Sequence, residues 1–280
     1  MSFWYDETFE DKIRFGIKSR TLLSKQSEFQ KIDILDTDLF GRTLALDEKY
    51  MTSEKDEFYY HEMLVHPPMT TAKRIERALV IGGGDGGAVR ELLRYPEVKK
   101  VVMVEIDGQV IEACRELLPA IGTAWNDPRL EVIVGDGVDY AKNALVEPFD
   151  VVLLDGCDPI GPAEGLFNID FYKGCRRLLG EGGVFALQSE SPVVFLETFL
   201  KILKNLKSIF KTVHPYFGPV PIYITGSWSW TYATDSAHPF IIDEKRMSRI
   251  EKTCKYYNRD IHRAAFALPT YIRKAIDQIS

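Results

Sequence analysis

Five short, nearly continuous apolar runs constrain this chain most. They occupy residues 78–81, 101–104, 130–134, 151–154 and 184–187. A strand with one face in water needs a polar residue at every second position. Runs like these suit strands of a parallel sheet covered on both faces. Helical segments lie between them. Val110, Ile111, Cys114, Leu117 and Leu118 recur at three-to-four spacing and predict an amphipathic helix over 108–118. Helices are also expected over 88–94 and 138–144. Strand alternating with helix means an α/β, doubly wound domain.

The first sixty residues read differently. Ile13 to Ile17, Ile32 to Ile34 and Leu44 to Leu46 alternate apolar residues with others, and Asp38 to Gly41 supplies a turn signal. This predicts a small β-sheet domain over 1–60, followed by the α/β, Rossmann-like domain over 61–280. A module that small is marginal alone and should lean on the rest of the chain or on a second subunit. A late strand is expected around Trp228 to Trp230, and a helix over 244–256. The sequence has no internal repeat and no linker rich in Gly, Pro or Ser.

The first α/β strand runs into Ile81-Gly82-Gly83-Gly84-Asp85-Gly86-Gly87, with helix after it. Glycines there let backbone turn sharply and approach a ligand closely. Glu105 stands at the tip of the next strand, about twenty residues beyond the loop, placed to bind two ribose hydroxyls. Together they point to a nucleoside site. The spacing fits both G-x-G-x-x-G and the G-x-G-x-G of adenosylmethionine-dependent folds. Asp85 discriminates: a carboxylate in the loop repels a pyrophosphate and attracts an ammonium or sulfonium. Asp136, in Gly135-Asp136-Gly137, either accepts the adenine amino group or caps the following helix.

The stretch Leu154-Asp155-Gly156-Cys157-Asp158-Pro159-Ile160-Gly161-Pro162 follows the fourth strand. Its prolines and glycines indicate a shaped loop over the crevice where open α/β sheets bind ligands. Asp155 and Asp158 should then face the same space as Asp85 and Glu105. Several acids at one crevice suit a polycationic ligand. Tyr60, His61, Tyr223 and Trp228 offer aromatic walls for an alkyl diamine, which has an apolar middle and charged ends.

Overall charge agrees. Lys plus Arg total 35 against 41 for Asp plus Glu, a formal net charge of −6. That speaks against a nucleic-acid partner, which needs a basic face. No run approaches a membrane span. Cys114, Cys157, Cys175 and Cys254 show no zinc-ligand spacing and are expected as free thiols of a reducing compartment. No signal peptide is visible, and the expected location is cytoplasmic.

The motifs together resemble one family. They are Phe40-Gly-Arg42 with Leu44-Ala-Leu-Asp47, Asp56-Glu-Phe58, Tyr60-His-Glu-Met63 and Val80-Ile-Gly-Gly-Gly-Asp-Gly-Gly87. Further along stand Val104-Glu-Ile-Asp107, Asp155-x-x-Asp-Pro-x-Gly-Pro162, Leu166-Phe167, and Tyr256-Tyr-Asn258 with His262-x-Ala-Ala-Phe-x-Leu-Pro269. Over nearly its whole length the chain resembles the spermidine synthases, the polyamine aminopropyltransferases. The resemblance implies a Rossmann-like, methyltransferase-type domain behind a small N-terminal β-sheet domain. It implies a homodimer or homotetramer. The implied reaction transfers the aminopropyl group of decarboxylated S-adenosylmethionine, a co-substrate, to putrescine, giving spermidine and methylthioadenosine, with no cofactor and no metal. Gln30, Gly82, Asp85, Glu105, Asp136, Gly137 and Pro162 would hold the donor. His61, Asp85, Asp155, Asp158, Tyr223 and Trp228 would line the amine channel. Asp155 matches the family's proton acceptor, with Tyr60 assisting. Departures fall on the acceptor side: Gly156 and Cys157 replace a usual hydroxyl residue, Ile222 stands in a Pro-Thr-Tyr pattern, and Met51 replaces a common Gln.

A methyltransferase would share the nucleoside site but must accommodate a donor carboxylate beside Asp85. A nicotinamide dehydrogenase needs a pyrophosphate cradle, and a non-enzymatic polyamine-binding protein would leave the glycine loop idle.

Overall fold

The computed structural model describes residues 2–9, 12–158 and 161–279, without the side chains of 161 and 162. An antiparallel five-stranded sheet comes first, in simple sequence order: β1 (Phe3–Phe9), β2 (Ile13–Gln26), β3 (Lys31–Thr37), β4 (Gly41–Leu46) and β5 (Lys49–Ser53). Between β4 and β5, Asp47 and Glu48 both take positive φ, at 46° and 65°. That suits a tight two-residue hairpin whose twist matches its strands. Asp47 also accepts the Lys31 amide at 2.8 Å.

The second sheet has seven strands: β6 (Arg77–Gly82), β7 (Lys100–Glu105), β8 (Leu130–Val134), β9 (Phe149–Asp155), β10 (Leu179–Gln188), β11 (Thr212–Pro219) and β12 (Ser227–Thr234). Their spatial order is β11-β12-β10-β9-β6-β7-β8. Strands β6 to β10 are parallel, whereas β12 runs antiparallel to both β10 and β11. The expected doubly wound sheet is present, and a closing antiparallel pair makes it mixed.

The parallel strands divide their apolar residues between two cores. Ala78, Val80, Val151 and Leu153 face one side, with α1 (Glu57–Thr71) and α2 (Gly87–Leu93). Leu79, Ile81, Val152 and Leu154 face the other, with α5 (Ile169–Leu178) and α6 (Leu196–Lys207). A third cluster joins the two sheets. Ile32, Ile34, Leu44 and Leu46 of β3 and β4 pack on Val110, Ala113, Cys114 and Leu118 around helix α3 (Gly108–Leu117). The small sheet thus leans on the larger unit through α3. Helix α4 (Gly137–Asn143) follows β8, a 3₁₀ turn covers Gly161–Phe167, and α7 (Glu244–Ile250), α8 (Arg259–Ala265) and α9 (Thr270–Asp277) end the chain.

Two elements depart from expectation. Helix α1 passes through Pro67 and Pro68, two residues that normally discourage a helical reading. Pro67 has no N–H for the Met63 carbonyl, and the Tyr216 hydroxyl donates to that carbonyl instead at 3.0 Å. The helix expected over 244–256 stops at Ile250. Buried Glu62 explains this: its carboxylate accepts the amides of Lys255, Tyr256 and Tyr257 at 2.7 to 2.8 Å, which draws that segment out of helical geometry. No helix among the described residues is long and apolar enough to cross a membrane.

Candidate active site

A cavity of about 290 Å³ opens at the carboxyl ends of β6, β7 and β9, roofed by β4 and β5 of the small sheet. Backbone packing shapes its floor. Gly82 has φ +82°, and a Cβ there would lie 2.1 Å from the Asp155 carbonyl oxygen. A Cβ on Gly87 would lie 2.3 Å from the His61 ring. Only glycine lets the loop sit this close to β9 and α1.

Glu105 ends β7 with its carboxylate beside Gly84. One oxygen accepts the Asp107 amide at 3.0 Å. Burial pushes its pKa up to about 7. Asp107 caps α3 and binds Ser27 at 2.6 Å and the Gln30 amide at 3.1 Å, which ties Gln30 to the cavity edge. Asp136 caps α4, accepting the Val138 amide at 2.7 Å. Its carboxylate therefore serves the capping alternative, while Asp136 and Gly137 also line the cavity. The Pro162 side chain lies outside the described residues.

On the other side, helix α1 presents Tyr60 and His61. His61 Nδ1 lies 2.8 Å from Glu57 Oε2 and its Nε2 lies 3.3 Å from Asp85 Oδ2. Arg90 reaches the same Glu57 oxygen at 2.7 Å. Burial opposes a charge on His61, but Asp85 and Glu57 overcome it and hold the ring's pKa well above the usual histidine range. Asp85 also accepts the Gly87 amide at 2.8 Å. Burial works against its charge, yet His61 and that amide hold it below the ordinary carboxylate value. His61, Asp85 and Asp155 bring one ligating atom each within 4.8 Å of the others.

Asp155 closes β9. Burial and the charge of Asp85 raise its pKa to about 6, against the pull of His61 and a hydrogen bond from Tyr60. Its Oδ2 is buried without a hydrogen-bond partner. The next carboxylates are Asp158 and Glu190, close enough to perturb one another's titration. Burial raises Asp158 to about 6, and raises Glu190 well above its usual value, with Asp158 adding to it. Glu7 on β1 is pushed up to about 7, mainly by burial. Glu7 and Asp158 line a smaller adjoining cavity of about 30 Å³.

Tyr223 lines both cavities, but its hydroxyl donates to the Met51 carbonyl at 2.7 Å and offers the carboxylates only a ring face. Trp228 packs edge-on to Tyr223, centroids 4.6 Å apart, and lines only the smaller cavity. Sequence reasoning missed Glu7, Lys49, Glu57, Arg90 and Glu190. Glu57 lies one helical turn before His61, a signal readable only once 57–71 is known to be helix. Glu7 and Glu190 carry no local motif and meet at the site through tertiary packing.

Comparison with known proteins agrees with this geometry. Residues 57–242 match the spermine/spermidine synthase domain, and residues 3–54 match the spermidine synthase tetramerisation domain. A polyamine aminopropyltransferase of Thermoanaerobacter sp. (strain X514) is 41% identical over 280 residues, covering 100% of both chains. One from Clostridioides difficile (strain 630) is 40% identical, covering 99% of this chain and 100% of the relative. A crystal structure of spermidine synthase in complex with the transition-state analogue AdoDATO superposes with a TM-score of 0.95 at 36% identity, covering 99% of this chain and 95% of that one. Spermidine synthase from Thermotoga maritima superposes with a TM-score of 0.92 at 36% identity, covering 98% and 94%. A glycine loop with an acid inside it, a buried Glu105 at the end of the next strand and a row of desolvated carboxylates thus sit in a chain that belongs to the spermine/spermidine synthase family of polyamine aminopropyltransferases.

Proposed function

We propose that this enzyme moves the aminopropyl group of decarboxylated S-adenosylmethionine onto putrescine, giving spermidine and methylthioadenosine. The observation that carries the reading is Asp155. Its unpartnered, buried Oδ2 belongs to a residue that lines the same cavity as the nucleoside acid Glu105 and the remote acid Asp158. In this reading Gln30, Glu105, Asp136 and Gly137 receive the nucleoside, and Asp85 the aminopropyl ammonium. Asp155 with Tyr60 receives the attacking amine, and Asp158 with Glu190 its far ammonium.

The chemistry is a direct displacement. The amine nitrogen forms a bond to the methylene carbon attached to the sulfonium. The carbon–sulfur bond breaks, its electron pair goes to sulfur, and a neutral thioether leaves. The attacking nitrogen gives its extra proton to Asp155. An alkyl ammonium has a pKa of about 10.4, so it must shed a proton before it can attack. Asp155, near 6, is a better base than an ordinary carboxylate. Desolvation in the same cavity weakens the ammonium's hold on its proton and narrows the remaining gap. Positioning supplies the rest. Four free cysteines support a cytoplasmic location, and the match of residues 3–54 supports a homodimer or homotetramer.

The test is Asp155→Asn. We expect kcat to fall by about 10²- to 10⁴-fold, with donor affinity changed little, and the acidic limb of the wild-type pH profile, centred near 6, to disappear. An unaltered profile in the variant refutes the base role.

A further inference from the structure

Among the described residues, Lys49 is the only Lys or Arg lining either the main cavity or its smaller neighbour, and it lines both. It begins β5, directly after the tight β4–β5 turn, so its backbone is fixed. Its ammonium is held as a substrate ammonium would be. It donates to the Thr8 carbonyl and lies 3.5 Å over the centroid of the Phe9 ring. It shares the smaller cavity with Glu7 and Asp158, whose pKa values its charge draws down. A carbonyl and an aromatic face at one alkyl ammonium, with two carboxylates lining the same cavity, make an amine subsite, and here a tethered side chain fills it.

We propose that Lys49 is a specificity-determining residue that occupies the subsite a third amine nitrogen would need, and so restricts the acceptor to a diamine. This rests on the aminopropyl-transfer reading. A diamine places one nitrogen at Asp155 and one at the Asp158–Glu190 pair. A triamine, which the product itself is, carries one more ammonium, and that charge would meet the half-exposed Lys49 ammonium at the cavity edge. Like charges at close range repel. The same repulsion favours departure of the product over its use as a second-round acceptor. The chemical step with a triamine is unchanged: nitrogen bonds to carbon, the carbon–sulfur bond breaks, and the proton goes to Asp155.

The experiment compares kcat/KM for spermidine and for putrescine, each with decarboxylated S-adenosylmethionine, in wild type, Lys49→Met and Lys49→Arg. Met keeps an apolar stem of similar length without the charge, and Arg keeps the charge. In Lys49→Met we expect the spermidine-to-putrescine ratio to rise by at least about tenfold, a modest share of what two close like charges cost. In Lys49→Arg it should stay near wild type. A ratio unchanged in Lys49→Met, or raised equally by Arg, overturns the proposal. Wild type that turns over neither amine overturns the underlying reading instead. Circular dichroism of each variant separates both results from misfolding.

Discussion

Asp85 sits in a loop whose backbone alone would welcome an anion, and its carboxylate reverses that preference. The amide of Gly87 and the imidazolium of His61 hold it ionised although it is buried. A donor that keeps its carboxylate would bring a second negative charge to this point, whereas the decarboxylated donor brings only an ammonium. In Asp85→Asn we expect the preference for decarboxylated over ordinary S-adenosylmethionine, measured by calorimetric titration, to shrink by at least about tenfold. An unchanged preference would mean that shape, not charge, selects the donor. Asp85 and Glu105 were legible in the sequence because strand ends fix them within a short local pattern. Asp136 was legible only as a pair of alternatives, since capping and ligand binding draw on the same carboxylate. Tyr223 was legible as a wall, but not the loss of its hydroxyl to Met51, because that contact joins residues far apart in the chain.

Helices α1 and α2 are joined by buried charge pairs as well as by apolar packing. Glu57 and His66 on α1 interleave with Arg90 and Glu91 on α2: Arg90 bridges Glu57 at 2.7 Å and Glu91 at 2.8 Å, and His66 meets Glu91 at 3.0 Å. Glu57 is 5% exposed and Arg90 16%. A chain of this kind is costly to break, because each removal leaves a buried partner uncompensated. It also fixes His61 through Glu57, so Arg90 is a positioning residue for the site. For Arg90→Met we expect a stability loss on the order of 3–5 kcal/mol by denaturant unfolding. We also expect a lowered kcat whose pH dependence shifts as Glu57 loses its cation. A variant as stable as wild type, with an unmoved profile, would show that the chain is ornamental. None of this was readable from periodicity. Helix α1 is buried almost all round and carries two prolines, so it has neither the apolar stripe nor the uninterrupted run by which helices are recognised. The parallel strands were readable for the opposite reason: burial on both faces leaves a continuous apolar signature. The hairpin of β11 and β12 was half seen, through Trp228 and Trp230.

At the scale of the whole molecule, two populations of carboxylates pull stability in opposite directions with pH. Glu57 and Glu91 are held below the ordinary value despite their burial, through His61, His66 and Arg90. They contribute stability above their unfolded pKa that is lost in acid. Four of the site acids, unlike Asp85, are the reverse. Asp155 and Asp158 lie near 6, and Glu7 and Glu105 near 7, each raised by burial. Between about pH 4 and pH 7 the folded chain therefore binds more protons at these groups than the unfolded chain does. Stability from them falls as pH rises through that window. Cationic ligands and ribose hydroxyls favour the ionised carboxylates, so binding must release protons there. We expect the gain in Tm from methylthioadenosine plus putrescine to be larger at about pH 7.5 than at about pH 5.5, and calorimetry in buffers of different ionisation enthalpy to show proton release near pH 6.5. A gain that shrinks with rising pH, or proton uptake on binding, would contradict the assignment of these acids as the receivers of positive charge. The modest overall acidity of the sequence conceals this arrangement. The acids that matter are few, and they cost the empty enzyme stability that its cationic substrates restore.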